Sequence, residues 1–185
     1  MTALDWVFTA IAVIWILEFI LFRNRGTGEE SPVERRSFLL ILAALSATIL
    51  AAALVGEMRR FEMTATWFKM IGILFFGTGV FLRYWGIIHL KAQFTRHVTV
   101  QEGDGIVSTG PYRKLRHPLY TGLLLIAVGM ALFFQSILTA IIGGALVGWA
   151  LVRRMDGEEE LLVKEFGEEY REWMKRRARL IPFIY

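Results

Sequence analysis

The stretch Gly110-Pro-Tyr-Arg-Lys-Leu-Arg-His-Pro-Leu-Tyr-Thr-Gly122 concentrates residue types that can do chemistry. It holds a basic cluster (Arg113, Lys114, Arg116), two of the five tyrosines (Tyr112, Tyr120) and His117. Pro118 disfavours the α conformation at His117 and suits a first helical turn, so a helix should start at Pro118 with His117 at its cap. The first amides of such a helix lack intrahelical partners and form a positive end suited to a carboxylate or another anion. Tyr120, in the first turn, stays near that end. Gly110 lets the backbone approach a ligand or take a left-handed turn. Taken alone, these residues also fit ordinary loop punctuation at a membrane interface. A second polar group, Arg154-x-x-x-Glu158-Glu159, follows after a long apolar run.

The elements that must position these groups are hydrophobic. Of the 185 residues 55% are apolar, and the mean hydropathy is +0.48. Several runs approach the ~20 residues needed to cross a bilayer, so the chain reads as an all-α integral membrane protein of about five transmembrane helices. The absence of cysteine excludes disulfides, thiolate metal sites and cysteine nucleophiles. Three histidines give little basis for a metal, and none is expected. The net charge of +4 admits nucleic acid in principle, but the basic residues are placed as topology signals, so no nucleic-acid partner is expected.

The first span covers about 4–22, with Asp5 able to cap it and Trp6 at the interface. No Lys or Arg precedes Arg23 and no small-residue cleavage site follows, so this run is not expected to be a signal peptide. Glu18 lies inside it, either as a solvated or paired interfacial acid or as a functional group. A loop with Gly26, Gly28 and Pro32 leads to a second span at 37–55, and a polar turn over 57–66 to a third at 67–90. Arg83 and His89, near the end of the third span, either snorkel toward headgroups or line the polar segment that follows. Residues 91–117 read as irregular or partly extended, with weak alternation over 94–100. The uncharged run 119–152 is too long for one span and short for two. It reads as a tight helical hairpin turning at Gln135-Ser136, with Gly144 and Gly148 as a small-residue packing face. Beyond it, Asp156-x-x-Glu159 can form a capping box, and Leu162, Phe166, Tyr170 and Trp173 recur at helical spacing. Gly167 can kink that amphipathic helix, and Pro182 lies beyond its end. Lys and Arg gather after the first span, after the third and in the tail, which puts the N-terminus outside and both polar groups in the cytoplasm.

The pattern Gly110-Pro-Tyr-x-x-x-Arg-His-Pro-x-Tyr-x-Gly122, an apolar hairpin, Arg154-x-x-x-Glu158-Glu159-x-x-Leu162 and Phe166-Gly167-x-x-Tyr170 resembles the isoprenylcysteine carboxyl methyltransferase family. More loosely, it is similar to the phospholipid N-methyltransferases. The resemblance runs from about 93 to the C-terminus. It implies S-adenosyl-L-methionine as cofactor, one membrane methyltransferase domain over 1–185, a catalytic core over 67–185 and two less specific spans over 1–66. By the same resemblance, Asp104, Ile106, Val107, Tyr112, His117, Pro118, Leu119, Tyr120 and Glu158 contact the cofactor, and Arg154 meets the substrate. Family members often carry His-x-Leu-Val where this chain has Asp104-Gly-Ile-Val107. Arg116 and Glu159 fit the motif, with roles left open between site and scaffold.

The chemistry implied is coherent. A carboxylate such as Glu158 can bind the cofactor's amino group or balance its sulfonium. Methyl transfer is an in-line displacement, so aligning the nucleophile is the main demand, and Arg154 can orient a carboxylate acceptor through paired N–H groups. The expected substrate is amphipathic and lipid-like. Two alternatives are a sterol-type reductase using NADPH, which shares an Arg-His-x-x-Tyr-x-Gly pattern, and a non-enzymatic membrane scaffold or transporter.

Overall fold

The computed structural model describes residues 1–22, 32–58, 66–91 and 103–181, with only the backbone of 32–34. Five helices account for most of them: α1 (Ala3–Leu21), α2 (Pro32–Met58), α3 (Thr66–Leu90), α4 (Pro118–Phe133) and α5 (Ile137–Lys175), with a 3₁₀ turn at Gly110–Arg113. No strand occurs among the described residues, only one isolated bridge. Helices α1, α2, α3 and α5 are long and apolar enough to cross a membrane, and α4 is a shorter apolar helix of 16 residues. An all-α integral membrane fold is therefore what the sequence forms.

Local chemistry explains most boundaries. Thr2, not Asp5, caps α1. Asp5 is the third helical residue, and its carboxylate accepts from the Thr2 amide at 2.6 Å in a reciprocal capping box. The second helix begins at Pro32, inside the expected loop, because proline suits a first helical turn. The hairpin turns where expected: Gln135 takes a left-handed φ of 59° between α4 and α5. The capping box over Asp156 and Glu159 does not form, and α5 runs through it. Both acids are engaged by cations elsewhere: Asp156 by Arg179, and Glu159 by Arg116 and Arg179. Gly167 does break the helix, with φ 59° and ψ −130°. The expectations for 94–100, for the turns within 23–31 and 59–65 and for Pro182 lie outside the described residues.

Helices α3 and α4 pack antiparallel at backbone distance. A Cβ on Gly72 would lie 2.5 Å from the Phe133 amide nitrogen, one on Gly129 2.5 Å from the Phe76 nitrogen, and one on Gly79 2.6 Å from the Gly122 carbonyl. These glycines recur every seven residues on α3 and again on α4, which keeps them on one face over several turns. On α5 the closest approach is Gly143 against Thr48; Gly144 packs tightly on α4, with a Cβ there 3.0 Å from Val128 Cγ2, whereas Gly148 meets Leu124 at an ordinary 4.0 Å. Phe76, Val80, Ile126 and Met130 form one buried cluster, which Phe8, Ile11 and Trp15 of α1 cover.

Glu18 and Arg83 settle their alternatives together. Glu18 is 1% exposed, and both of its carboxylate oxygens accept from the Arg83 guanidinium, Oε2 from Nε at 2.8 Å. Arg83 also donates to the Leu119 carbonyl at 3.2 Å, so it ties α1, α3 and the start of α4 together rather than reaching for headgroups.

Candidate active site

Burial of two proline-marked turns builds the polar motif. Gly110 takes φ 56°, and a Cβ there would lie 2.5 Å from the His89 ring, so both backbone and space call for glycine. His117 caps α4 with an extended φ of −124°, and Pro118 is its first residue. The His117 carbonyl accepts from the Tyr120 and Thr121 amides at 3.1 Å. This places the Tyr120 ring 5.6 Å from the His117 ring, stacked at 24°.

The second polar group arrives from α5. The Tyr120 hydroxyl donates to Glu158 Oε2 at 2.8 Å, and Arg154 Nε donates to the same hydroxyl at 3.4 Å. Arg154 is buried, and its Nη1 donates to Ser37 Oγ of α2 at 2.9 Å. His117 Nε2 donates to Glu159 Oε1 at 3.0 Å, and Glu158 Oε2 lies 3.8 Å from His117 Nδ1. Two carboxylates of the chain itself thus stand against the cap of α4, where the sequence leads one to expect an external anion. Burial pushes Glu159 up, but the hydrogen bond and charge of His117 and the charges of Arg179 and Arg116 outweigh it and hold the carboxyl below its usual range. Burial, with the Glu158 charge adding to it, raises the Tyr112 phenol well above its usual value, so Tyr112 stays a neutral hydroxyl.

The segment after α5 folds back over the motif. Leu115 and Ala178 form a parallel bridge, in which the Arg116 amide donates to the Ala178 carbonyl at 2.8 Å and the Ala178 amide to the Lys114 carbonyl at 3.0 Å. Arg177 Nε donates to the Tyr112 carbonyl at 2.7 Å, and its guanidinium lies 4.4 Å from the centre of the Trp173 ring. Trp173 Nε1 in turn donates to Ser108 Oγ at 2.8 Å. Arg116 spans the join, donating to Glu159 at 3.2 Å and to the Arg177 carbonyl at 3.0 Å, and it also lines the site cavity.

These elements enclose a cavity of about 300 Å³. Asp104, Ile106, Val107, Tyr112, His117, Leu119, Tyr120, Arg154 and Glu158 all line it. Pro118 is fully buried and does not form part of the wall. The rest of the wall includes Arg83, residues of α1 and α2 (Trp15, Phe19, Phe38, Ile41, Leu42, Leu45) and an aromatic cover of Phe166, Tyr170 and Trp173. Phe19, Phe38 and Leu42, at the apolar part of this wall, are about half exposed. Sequence reasoning offers Glu18 as the one candidate functional group in α1 and none in α2. The signal available for the α1 side is the pair of opposite charges, Glu18 on α1 and Arg83 on α3, each near the end of its span.

The model of the isoprenylcysteine carboxyl methyltransferase (ICMT) family matches residues 70–164. Protein-S-isoprenylcysteine O-methyltransferase A of Arabidopsis thaliana is 29% identical over 120 residues, covering 64% of this chain and 61% of that protein. The human protein-S-isoprenylcysteine O-methyltransferase is 31% identical over 122 residues, covering 64% and 43%. A probable protein-S-isoprenylcysteine O-methyltransferase of Oryza sativa subsp. indica is 26% identical over 188 residues, covering 97% and 96%. The chain thus matches less than two thirds of the Arabidopsis and human proteins and nearly all of the rice one.

Proposed function

The chain belongs to the isoprenylcysteine carboxyl methyltransferase family, and from that premise we propose that it methylates the carboxylate of an amphipathic, prenylcysteine-type acceptor with S-adenosyl-L-methionine. The observation that carries this reading is the two-ended cavity. One end presents Asp104, Tyr112, Tyr120, Arg154 and Glu158, and the other presents apolar residues of α1 and α2, among them the half-exposed Phe19, Phe38 and Leu42.

The polar end fits the cofactor in its donor set. Glu158 and Asp104 offer carboxylates to an amino group, Tyr112 and Tyr120 offer ring faces, and Ile106, Val107 and Leu119 supply apolar contact. When bound, S-adenosyl-L-methionine supplies an electrophilic methyl group on a sulfonium. The residues do the rest. Tyr120 fixes the Glu158 carboxylate through its hydroxyl. Arg154, held between Tyr120 and Ser37, orients the acceptor carboxylate. Such a nucleophile is already ionised near neutral pH and needs no base, whereas an amine or thiol would have to lose a proton first. Phe166, Tyr170 and Trp173 cover the cavity and exclude water. The acceptor's tail reaches the cavity laterally, past Phe19, Phe38 and Leu42.

On this reading the whole chain is one catalytic domain, with 67–185 as its core. The N-terminus lies outside, and the motif and tail face the cytoplasm, where the cofactor is made. The reductase and scaffold alternatives gain no support from a family match that spans Arg154 and Glu158. The test is transfer of labelled methyl groups to N-acetyl-S-farnesylcysteine and, in parallel, to a total lipid extract. Methyl ester formation on the first supports the proposal. Label in a lipid amine and none in the prenylcysteine would redirect the acceptor, and NADPH binding without S-adenosylhomocysteine binding would overturn the reading.

A further inference from the structure

We propose that Ser37, on α2, is a positioning residue for the reaction, acting through Arg154; this rests on the acceptor-orienting role given to Arg154 above. Helix α2 lies outside the matched family region, which begins at residue 70. It nevertheless supplies Phe38, Ile41, Leu42 and Leu45 to the cavity wall, and Ser37 is the polar residue that precedes this stripe. Ser37 Oγ accepts from Arg154 Nη1 at 2.9 Å, while the Tyr120 hydroxyl accepts from Nε at 3.4 Å. The guanidinium is therefore spanned between α4 and α2.

The register of α2 on α5 makes this contact a built one. Thr48 lies eleven residues along α2 from Ser37, and Gly143 lies eleven residues back along α5 from Arg154. These two positions interlock: a Cβ on Gly143 would lie 2.3 Å from Thr48 Cγ2 and 2.6 Å from Thr48 Oγ1. The Thr48 hydroxyl donates to the Ala44 carbonyl at 2.7 Å, which fixes the rotamer that fills the notch. Between the two contacts Ile41, Ala44 and Leu45 pack with Val147, Ala150 and Leu151 in one buried cluster. Eleven residues are three helical turns, about 16 Å, so the notch fixes at one end which α2 side chain meets Arg154 at the other. A one-residue slip would rotate Ser37 off Arg154 by about 100°.

Without the serine hydroxyl the guanidinium keeps its Tyr120 bond and loses the Nη1 bond to Ser37. Alignment of the acceptor then suffers while the Glu158 side of the site is untouched. Ser37→Ala is expected to lower kcat on N-acetyl-S-farnesylcysteine about three- to tenfold. The dissociation constant for S-adenosylhomocysteine should stay within about twofold and the melting midpoint close to wild type. Ser37→Thr, which keeps the hydroxyl, should restore most of the turnover. Gly143→Ala, which pushes Thr48 out of the notch, should reproduce the kinetic loss together with a lower midpoint. Wild-type turnover in Ser37→Ala alongside lost turnover in Arg154→Ala would overturn the Ser37 proposal alone. Wild-type turnover in Arg154→Ala would overturn the role of Arg154 and the Ser37 proposal with it. An equal loss of S-adenosylhomocysteine affinity in Ser37→Ala would also overturn it, because the serine would then be holding the cavity as a whole.

Discussion

The Tyr120 hydroxyl donates to Glu158 at 2.8 Å and so joins the first turn of α4 to the polar part of α5 across the whole apolar hairpin. The two residues belong to motifs separated by more than 30 positions, and the antiparallel hairpin returns the chain to its starting level. This contact makes the two motifs one site.

Glu158→Gln keeps the shape of the side chain and removes its charge. Hydrogen bonds to charged groups are worth about 1.5–3 kcal/mol, so affinity for S-adenosylhomocysteine should fall about ten- to a hundredfold. Isothermal titration on the detergent-solubilised protein measures it. Unchanged affinity would remove Glu158 from the cofactor's surroundings.

The ion pair of Glu18 and Arg83 is buried between α1 and α3. Breaking such a pair from one side costs about 3–5 kcal/mol, whereas replacing both partners by apolar residues is often neutral. Glu18→Gln should therefore lower the melting midpoint clearly, and Glu18→Leu with Arg83→Met should recover much of it. A double variant no better than the single one would show that Arg83 is needed for its bond to the Leu119 carbonyl instead.

The glycine contacts that α4 makes with α3 and with α5 are graded by distance. Gly129→Ala places a methyl group 2.5 Å from backbone and should cost about 1–3 kcal/mol, the usual price of overpacking. Gly148→Ala, whose nearest neighbour lies at 4.0 Å, should be tolerated. Thermal unfolding followed by intrinsic fluorescence separates the two, and equal midpoints would contradict the backbone contact.

Acid should undo the network around Glu159. Its carboxyl is held below the ordinary value of 4.5, so the stabilisation it provides is complete above that value. It is lost as pH falls through the lowered one, where the group takes up a proton that the unfolded chain already binds. Melting midpoints should drop on acidification below about 4.5, and Glu159→Gln should start lower and lose this part of the drop. A wild-type and a variant curve of identical shape would exclude Glu159 as the titrating group.

Long uninterrupted apolar runs made the five helices readable, and Gln135-Ser136 made the hairpin readable because polar residues break one such run. Nine of the ten residues singled out for the site line the cavity; they fall in three short stretches, 104–107, 110–122 and 154–158, to which the family resemblance points. Faces were harder to read than segments. Glu18 and Arg83 are 65 positions apart, and only the parallel course of α1 and α3 brings their ends level. The seven-residue spacing of Gly72, Gly79 and Gly86 was present in the sequence, but spacing alone does not name the partner helix. The pattern at Asp156 and Glu159 read as a helix start because a capping box and a pair of helix-surface acids look the same. What decides between them is Arg179, supplied from the far side of the Gly167 kink. The apolar wall was illegible because Trp15 or Phe38 differs in no way from other large apolar residues of a span.

The bridge between Leu115 and Ala178 also bears on biosynthesis. During translation residues 110–117 are made some 60 positions before residues 176–181. The motif at 110–117 is therefore made before the segment that covers it, and the Tyr112 carbonyl before the Arg177 side chain that donates to it. Closure of the cavity over 110–117 waits on residues 176–181, and a chain truncated before Arg177 lacks the bonds that hold that motif from outside the bundle.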